Sequence, residues 1–282
     1  MEAAINREEI RAHWESAAAQ FGEDLRATTK TPSIKVIETD ALVRAVRSAH
    51  PDCSRLQMLE VGCGNGLNCL AMAEAFPESS IDGIDFVTDM VASAQALVVQ
   101  RGLDNRVHFT QGDALELAAN TALREQYDVV FTVRCLINLP EPGMQLAALA
   151  SMSDRLAPGG SLIVLENNTK TYGNQNRLRG YAGLVSRVPD TYNCFMDEDA
   201  VLVCAGELGL TKFAVEDFAS LHDIVLYVLL PAVNGGVVEY DHPLVEAAKQ
   251  VQLGSAGQFD TGGTGPFGPF GQNRLYHWRK SL

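Results

Sequence analysis

The stretch Leu59-Glu60-Val61-Gly62-Cys63-Gly64-Asn65-Gly66 decides the fold of this chain. It places three glycines at alternate positions directly after an apolar run, and an apolar, alanine-rich stretch from Cys69 to Phe76 follows. That order predicts a strand, a glycine turn and a helix, which together form the first unit of a nucleotide-binding α/β fold. Glycine permits a close approach of backbone to ligand, because any side chain at such a position would collide.

The spacing of the glycines separates two classes of ligand. A dinucleotide fingerprint needs its third glycine three residues after the second, and Leu67 occupies that position. The pattern Glu-x-Gly-x-Gly-x-Gly instead resembles the S-adenosylmethionine (SAM) loop of class I methyltransferases. The resemblance implies that the amides of this loop hold the methionine part of SAM.

Composition narrows the range of partners. The chain has 282 residues, 46% of them hydrophobic, and a formal net charge of −13. Because phosphate binding needs a basic surface, this charge argues against nucleic acid and against an anionic membrane. The N-terminal residues lack the basic-then-apolar order of a signal peptide, and no apolar run is long enough to span a bilayer. We therefore expect a cytoplasmic protein with a small-molecule substrate.

The six cysteines are scattered without a C-x-x-C pair, so neither a metal site nor a disulfide framework is expected. The pattern of apolar runs predicts an α/β, Rossmann-like fold with a mostly parallel seven-stranded sheet. An N-terminal helical cap is expected over residues 1–50, the SAM-binding core over 51–168, and an acceptor-side segment over 169–282, all within one structural domain. The segment after strand five is expected to be an insertion, and the chain from 167 to 189 a polar loop.

Strands are expected at residues 57–61, 80–85, 107–112, 128–133, 161–166, 211–218 and 274–279. Helical spacing over residues 221–229 predicts a further helix, although the β-branched residues of this run also allow a strand, and a long irregular segment follows. Residues 254–271 are rich in glycine and proline, which is typical of a loop.

Acidic residues follow two of the expected strands. Asp85 ends strand two about twenty residues after the glycine loop, where its carboxylate can accept both ribose hydroxyl protons. Asp113 follows strand three, where it can accept the adenine amino group. Arg134 and Cys135 end strand four, beside the expected position of the sulfonium. Because the carboxyl ends of parallel strands meet at one crevice, these side chains should converge on one ligand.

The order of these motifs resembles that of class I SAM-dependent methyltransferases over residues 56–166. The outer segments are similar to those of members encoded with surface-polysaccharide or natural-product pathways. His13-Trp14, the run from Arg26 to Lys30, Asn176-Arg177-Leu178-Arg179 and the run from Phe270 to Leu275 carry that similarity. The resemblance implies SAM as cofactor, S-adenosylhomocysteine (SAH) as product, and contacts to the cofactor from Trp14, Thr29, Lys30, Glu60, Gly62, Cys63, Gly64, Asn65, Asp85, Phe86, Met90, Gly112, Asp113, Ala114, Val133 and Arg134.

Several of these residues have structural alternatives. Asp85 alone could cap the following helix, and Arg134 is as consistent with an ion pair as with a ligand contact. Cys135 is more typical of a packed small hydrophobe than of a nucleophile. Trp14 suits a core anchor or a lid equally, and His222 is more typical of a core histidine than of a base.

The acceptor is expected beneath the segment after strand five. From Asn167 to Pro189 the chain has no acidic residue but several basic and amide side chains, which suit sugar-like, nucleotide-linked or carboxylated molecules. A solvated loop is the equally weighted alternative. The predicted acceptor contacts are Arg134, Asn167, Tyr172, Arg177, Arg179 and Tyr181. An alcohol acceptor needs a base, and the candidates are Glu166, His222, Tyr172 and His13.

The sequence is also compatible with other functions. A SAM-binding regulator or scaffold without catalysis is one alternative, and methylation at nitrogen or carbon is another. A nicotinamide oxidoreductase is disfavoured by Leu67. Metal-assisted methylation is disfavoured because only Glu166 and Asn167 follow strand five. The sequence assigns no oligomeric state.

Overall fold

One seven-stranded sheet organises the chain, in the order β3-β2-β1-β4-β5-β7-β6. The computed structural model describes residues 6–52, 55–256 and 265–282. The strands are β1 Gln57–Val61, β2 Ser80–Asp85, β3 Val107–Gln111, β4 Tyr127–Val133, β5 Leu156–Asn167, β6 Leu210–Glu216 and β7 Asn273–Lys280. The first five strands pair in parallel, and β7 pairs antiparallel with both β5 and β6. The predicted Rossmann-like, mostly parallel sheet is confirmed.

The central strands are buried on both faces. In β1 and β4 nearly every residue is inaccessible, including Met58, Leu59, Val129 and Phe131. Such continuous apolar runs are typical of parallel strands covered by helices on both sides. Two apolar clusters, one on each face of the sheet, form the core.

Helices cover both faces. Their bounds are α1 Arg7–Phe21, α2 Pro32–Ala49, α3 Leu67–Ala75, α4 Thr88–Gln100, α5 Pro142–Asp154, α6 Thr169–Tyr181, α7 Glu198–Glu207, α8 Ser220–Ile224, α9 Leu230–Val233 and α10 Pro243–Ser255. A π-helical turn, Val225–Leu229, joins α8 to α9. Within the described residues, no helix is long and apolar enough to cross a membrane.

The strand order reverses between β1 and β4. From β1 the chain moves outward through β2 to β3, and it then returns to place β4 on the other side of β1. A ligand crevice forms at the carboxyl ends of the strands where such a reversal occurs. The glycine turn after Val61 and the turn after Val133 therefore border the same space.

The polar loop expected from 167 to 189 is wrong in its first half, where α6 forms instead. Asn168 caps the start of this helix, because its side-chain oxygen accepts a hydrogen bond from the amide of Thr171. Three amide side chains of α6 also donate to backbone carbonyls of adjacent segments. Asn174 Nδ2 donates to Pro269, Gln175 Nε2 donates to Phe270, and Asn176 Nδ2 donates to Arg187. The polar composition that suggested a loop therefore holds α6 against the adjacent segments.

The irregular segment expected after residue 229 is also wrong in part, because α10 occupies Pro243–Ser255. This helix has a proline in its first turn and a His242 side chain that accepts from the amide of Leu244. The helical stretch expected over 221–229 and the final strand are confirmed. Of the glycine-rich segment predicted to be a loop, residues 257–264 lie outside the described residues.

Candidate functional site

The glycine turn between β1 and α3 depends on the absence of side chains. Gly62, Gly64 and Gly66 have φ angles of 72°, 52° and 81°, in the left-handed region. A Cβ atom on Gly62 would lie 2.3 Å from Cys135 Sγ, and one on Gly66 would lie 2.7 Å from Phe109 Cζ. Both the backbone conformation and the available space therefore require glycine here.

Asp85, at the end of β2, binds the glycine turn directly. Its Oδ2 accepts a hydrogen bond from the Gly64 amide at 2.8 Å, and its Oδ1 accepts from the Val87 amide at 2.9 Å. Burial raises the pKa of this carboxyl, while the amide donors act in the opposite direction. The bond to Val87 near the start of α4 agrees with the capping alternative, and the bond to Gly64 adds a link to the turn. Each carboxylate oxygen keeps acceptor capacity for a ligand.

Glu60 lies beneath the turn and is fully buried. Its Oε1 accepts from Asn68 Nδ2 at 2.6 Å, and its Oε2 accepts from the Cys69 thiol at 3.0 Å. Burial raises its pKa to about 7. Because both partners lie in the first turn of α3, Glu60 fixes the start of that helix.

A cavity opens above the glycine turn, bounded by α1, α2 and the ends of β1, β2, β3 and β4. Most of the predicted cofactor contacts line it: Trp14, Gly62, Cys63, Gly64, Asn65, Asp85, Phe86, Met90, Gly112, Asp113, Ala114, Val133 and Arg134. Thr29, Lys30 and Glu60 lie outside its lining, although Thr28 belongs to it. The strand ends therefore converge on one space.

Helix α1 covers the side of the cavity near Asp113. The Arg7 guanidinium forms an ion pair with the Asp113 carboxylate, and the Arg11 guanidinium lies 3.7 Å from the centroid of the Phe86 ring. Asn65, in the glycine turn, donates to the carbonyls of Gly22 and Asp24 beyond the end of α1. The segment after α1 is thus attached to the glycine turn itself.

Aromatic rings border the cavity beside α1. The His13 and Tyr192 rings stack with centroids 3.9 Å apart, and the Trp14 ring meets Tyr192 edge-on at 5.9 Å. The Trp14 indole nitrogen is buried without a hydrogen-bond partner among the described residues. Tyr192 donates a hydrogen bond to Asp190 at 2.9 Å. Burial lowers the pKa of His13, with Asp190 opposing that shift.

Arg134 combines the two interpretations that the sequence left open. It lines the cavity, and its Nε lies 3.0 Å from Oε1 of the buried Glu38. Its φ of 54° places a non-glycine residue in the left-handed region, and its carbonyl accepts from Asn138 at 2.9 Å. Surrounding contacts hold this turn in an unfavourable conformation, as is common at functional sites.

None of the four candidate bases lines the cavity. Glu166 is fully buried, and its Oε1 accepts from the amides of Cys135 and Leu136 at 2.8 and 2.7 Å, which fixes the turn after β4. Burial raises its pKa to about 8. Tyr172 is buried against Phe195, with ring centroids 4.9 Å apart.

His222 is the third of these bases, and it is buried in a hydrogen-bonded relay. Its Nε2 lies 2.8 Å from Ser33 Oγ, and its Nδ1 lies 2.8 Å from Asp223 Oδ1. This contact joins α2 to α8, which agrees with the core-histidine alternative. His13 is also outside the lining, but it is adjacent in sequence to the cavity residue Trp14 and stacks on Tyr192.

The predicted acceptor contacts on α6 are engaged elsewhere. Arg179 donates to the carbonyls of Val185 and Tyr227, and Arg177 donates to Asn174. Tyr181 is 87% exposed. None of these three, nor the buried Asn167 and Tyr172, lines the cavity, whereas Arg134 does. The helix directs Arg179 into its own packing and leaves Tyr181 in solvent, so the acceptor contacts predicted for this segment stay a prediction.

The cavity also contains residues that sequence reasoning missed. They are Arg7, Ile10, Thr28, Lys35, Leu67, Asn68, Val87, Asn138 and Leu139. Lys35 had a detectable signal, because it is a charged residue within the helical run that buries Ile34, Ile37 and Glu38. Arg7 and Asn138 had no such signal, since their positions depend on how distant segments pack.

Comparison with known proteins shows similarity to methyltransferases. A family model described as a methyltransferase domain matches residues 58–160. The ubiquinone biosynthesis O-methyltransferase of Marinobacter nauticus is 33% identical over 116 residues, which cover 40% of this chain and 46% of that protein. The ajmaline N-methyltransferase of Rauvolfia serpentina is 28% identical over 128 residues, covering 45% of this chain and 42% of that protein. The chain therefore spans less than half the length of these relatives.

A solved structure extends the similarity in fold to the whole chain. The magnesium protoporphyrin IX methyltransferase of Synechocystis PCC 6803, crystallised with bound SAM, aligns over 100% of both chains with a TM-score of 0.59 and 14% identity. Residues 58–160 match the methyltransferase-domain model, so the predicted resemblance to class I SAM-dependent methyltransferases is confirmed.

Proposed function

We propose that this methyltransferase domain binds SAM in the cavity above the glycine turn and transfers its methyl group to a polar small molecule, releasing SAH. The observation that carries the proposal is the pairing of the glycine turn with Asp85. Three glycines in left-handed conformations open the space, and the carboxylate that holds the Gly64 amide borders it.

The residues around the cavity fit the parts of SAM. The Asp85 oxygens have lone pairs for the two ribose hydroxyls beyond those used by the backbone amides. Asp113 Oδ1 accepts from the Leu115 amide at 3.0 Å and keeps a lone pair for the adenine amino group, while Oδ2 pairs with Arg7. Cys63 and Met90 supply apolar walls for the base. The absence of a side chain at Gly62 lets the turn after β1 pack against Cys135 at the end of β4.

SAM, when bound, supplies a methyl group made electrophilic by its positively charged sulfur. The protein has to hold an acceptor in line with that methyl group and exclude water. Placing two reactants in this way can contribute about 7–11 kcal/mol to lowering the barrier. Arg134, Asn138 and Leu139, at the turn after β4, line the part of the cavity where we place the acceptor.

We infer transfer to oxygen, on a sugar-like, nucleotide-linked or carboxylated acceptor. Arg134 suits an anionic or polyhydroxylated group, since its guanidinium offers several fixed donors. The name of the ubiquinone relative supports oxygen, and the name of the ajmaline relative supports nitrogen as the second candidate. An alcohol acceptor needs a base, and we place that role with His13, which stacks on Tyr192 beside the Tyr192–Asp190 hydrogen bond.

Titration calorimetry tests the cofactor. Wild-type protein should release or absorb heat on mixing with SAH and give none with a nicotinamide dinucleotide. Asp85→Ala should weaken SAH binding at least tenfold, because the ribose hydroxyls lose a charged acceptor. Asp104→Ala is the matched control, since that exposed carboxylate lies outside the cavity lining. No binding of SAH to wild-type protein would overturn the proposed function.

A further inference from the structure

The charged residues of the cavity separate into two groups. Asp85 and Asp113 lie at the ends of β2 and β3, where we place the nucleoside. Lys35, on α2, and Arg134, at the end of β4, supply positive charge to other parts of the lining. Lys35 precedes Glu38 by three residues on α2, and Glu38 Oε1 lies 3.0 Å from Arg134 Nε, so Lys35 lies on the side of the cavity formed by α2 and the end of β4.

Lys35 is the cation of this group that lacks a charged partner. Arg134 Nε lies 3.0 Å from Glu38 Oε1, and Arg7 pairs with Asp113. Glu38 Oε1 also accepts from Asn273 Nδ2 at 2.5 Å, while Glu38 Oε2 is buried without a hydrogen-bond partner among the described residues. Among the described residues, the Lys35 ammonium has no carboxylate within ion-pair distance and no hydrogen bond. Burial lowers the pKa of Lys35, with Glu38 opposing the shift.

An unpaired ammonium that borders a cavity carries a free-energy cost that an anionic ligand group can offset. SAM has one such group, the α-carboxylate of its methionine part, at the end of the molecule opposite the adenine. With the nucleoside at Asp85 and Asp113, that carboxylate falls toward the part of the lining that holds Lys35. The charge of the cavity and the charge of the cofactor are then complementary.

We propose that Lys35 binds the α-carboxylate of SAM and is the residue by which this cavity selects SAM over decarboxylated SAM and over neutral adenine nucleosides. The inference rests on the proposed function and adds to it a determinant of cofactor specificity. Decarboxylated SAM is the donor of aminopropyl groups, so the same side chain separates methyl transfer from aminopropyl transfer. Lys30, which the sequence favoured, is exposed and lies outside the lining.

The experiment uses calorimetry with SAM, decarboxylated SAM and 5′-methylthioadenosine, which keeps the nucleoside but lacks the amino acid. For Lys35→Met we expect SAM to bind about 10- to 100-fold more weakly, the range for loss of a charge-assisted hydrogen bond. The affinity of Lys35→Met for 5′-methylthioadenosine should differ less than twofold from that of wild type. Its affinity for decarboxylated SAM should be no lower than that of wild type. Lys30→Met should leave all three affinities unchanged.

Each outcome has a distinct meaning. Equal weakening of SAM and 5′-methylthioadenosine by Lys35→Met, or no weakening of either, would overturn the role of Lys35. Lys35→Arg should recover part of the SAM affinity, which a purely structural role of the aliphatic stem would not produce. Thermal unfolding of each variant identifies any loss of folding. Failure of all three ligands to bind wild-type protein would instead reject the proposed function.

Discussion

Glu166 offers a test of how this fold uses buried carboxyl groups. It stands fully buried at the end of β5, and its Oε1 accepts the amide protons of Cys135 and Leu136. Its Oε2 is buried without a partner among the described residues. Burial raises its pKa to about 8 from a usual value of 4.5, so the neutral acid is the form that the folded protein favours.

The sign of the pH effect follows from this shift. A carboxyl whose pKa is raised on folding holds its proton more tightly in the folded state than in the unfolded chain. Glu166 therefore contributes stability that is fully present below pH 4.5 and is lost as the pH rises through 8. Between pH 5 and 8 the loss amounts to on the order of 3 kcal/mol, at about 1.4 kcal/mol for each pKa unit.

Two substitutions separate the charge of Glu166 from its hydrogen bonds. Glu166→Gln keeps a carbonyl oxygen for the two amides and cannot ionise. Its free energy of unfolding, relative to wild type, should rise by about 3 kcal/mol between pH 5 and 8. Glu166→Leu leaves both amides without an acceptor, which costs about 1–3 kcal/mol for each buried donor.

Urea unfolding followed by circular dichroism at a series of pH values measures these differences. Parallel pH profiles for wild type and Glu166→Gln would refute the assignment of a raised pKa. Equal destabilisation by Gln and Leu would refute the role of the two hydrogen bonds. Asp217, whose pKa is raised to about 7 by burial, remains in every variant and contributes a common background.

Three further predictions concern the cavity and α6. Gly62→Ala should weaken SAH binding at least tenfold in calorimetry, because the added Cβ would lie 2.3 Å from Cys135 Sγ. Adding Cys135→Gly to this variant should restore part of the affinity. An unchanged affinity in the single variant would contradict the packing argument. Arg179→Ala should lower the free energy of unfolding by about 2–3 kcal/mol and leave SAH affinity unchanged, because the guanidinium donates to two backbone carbonyls. A change in SAH affinity without a loss of stability would indicate a ligand contact instead. Arg7→Gln should speed hydrogen exchange in α1, since the helix loses its ion pair to Asp113, and unaltered exchange would show that aromatic packing alone holds it.

Much of the fold could be predicted because its determinants are local. The alternate glycines after Val61 and the acid at Asp85 reflect the backbone conformation and hydrogen bonding of one short turn. The runs of buried residues in β1 and β4 reflect strands covered on both faces. Such features are visible in a few neighbouring residues.

The remaining features depend on contacts between distant segments. Residues 169–181 have the composition of a loop, and their amide side chains make a helix favourable only because the backbone of 187 and 269–270 lies beside them. The sequence position of Glu166 suits a candidate base, but its carboxylate accepts from amides of the turn after β4, which lie 31 and 30 residues before it in the chain and beside it in the fold. The place of Lys35 in the cavity lining depends on how α2 packs against the strand ends.

The position of β7 has a consequence for the order in which the molecule is built. More than fifty residues separate β6 from β7, yet β7 lies between β5 and β6 and is the only described strand that pairs with β6. During synthesis β6 cannot pair with the sheet until β7 has been made. Asn273, the first residue of β7, also donates to Glu38, which holds Arg134. A nascent chain that ends before β7 should therefore lack both a closed sheet edge and a correctly oriented arginine at the mouth of its cavity.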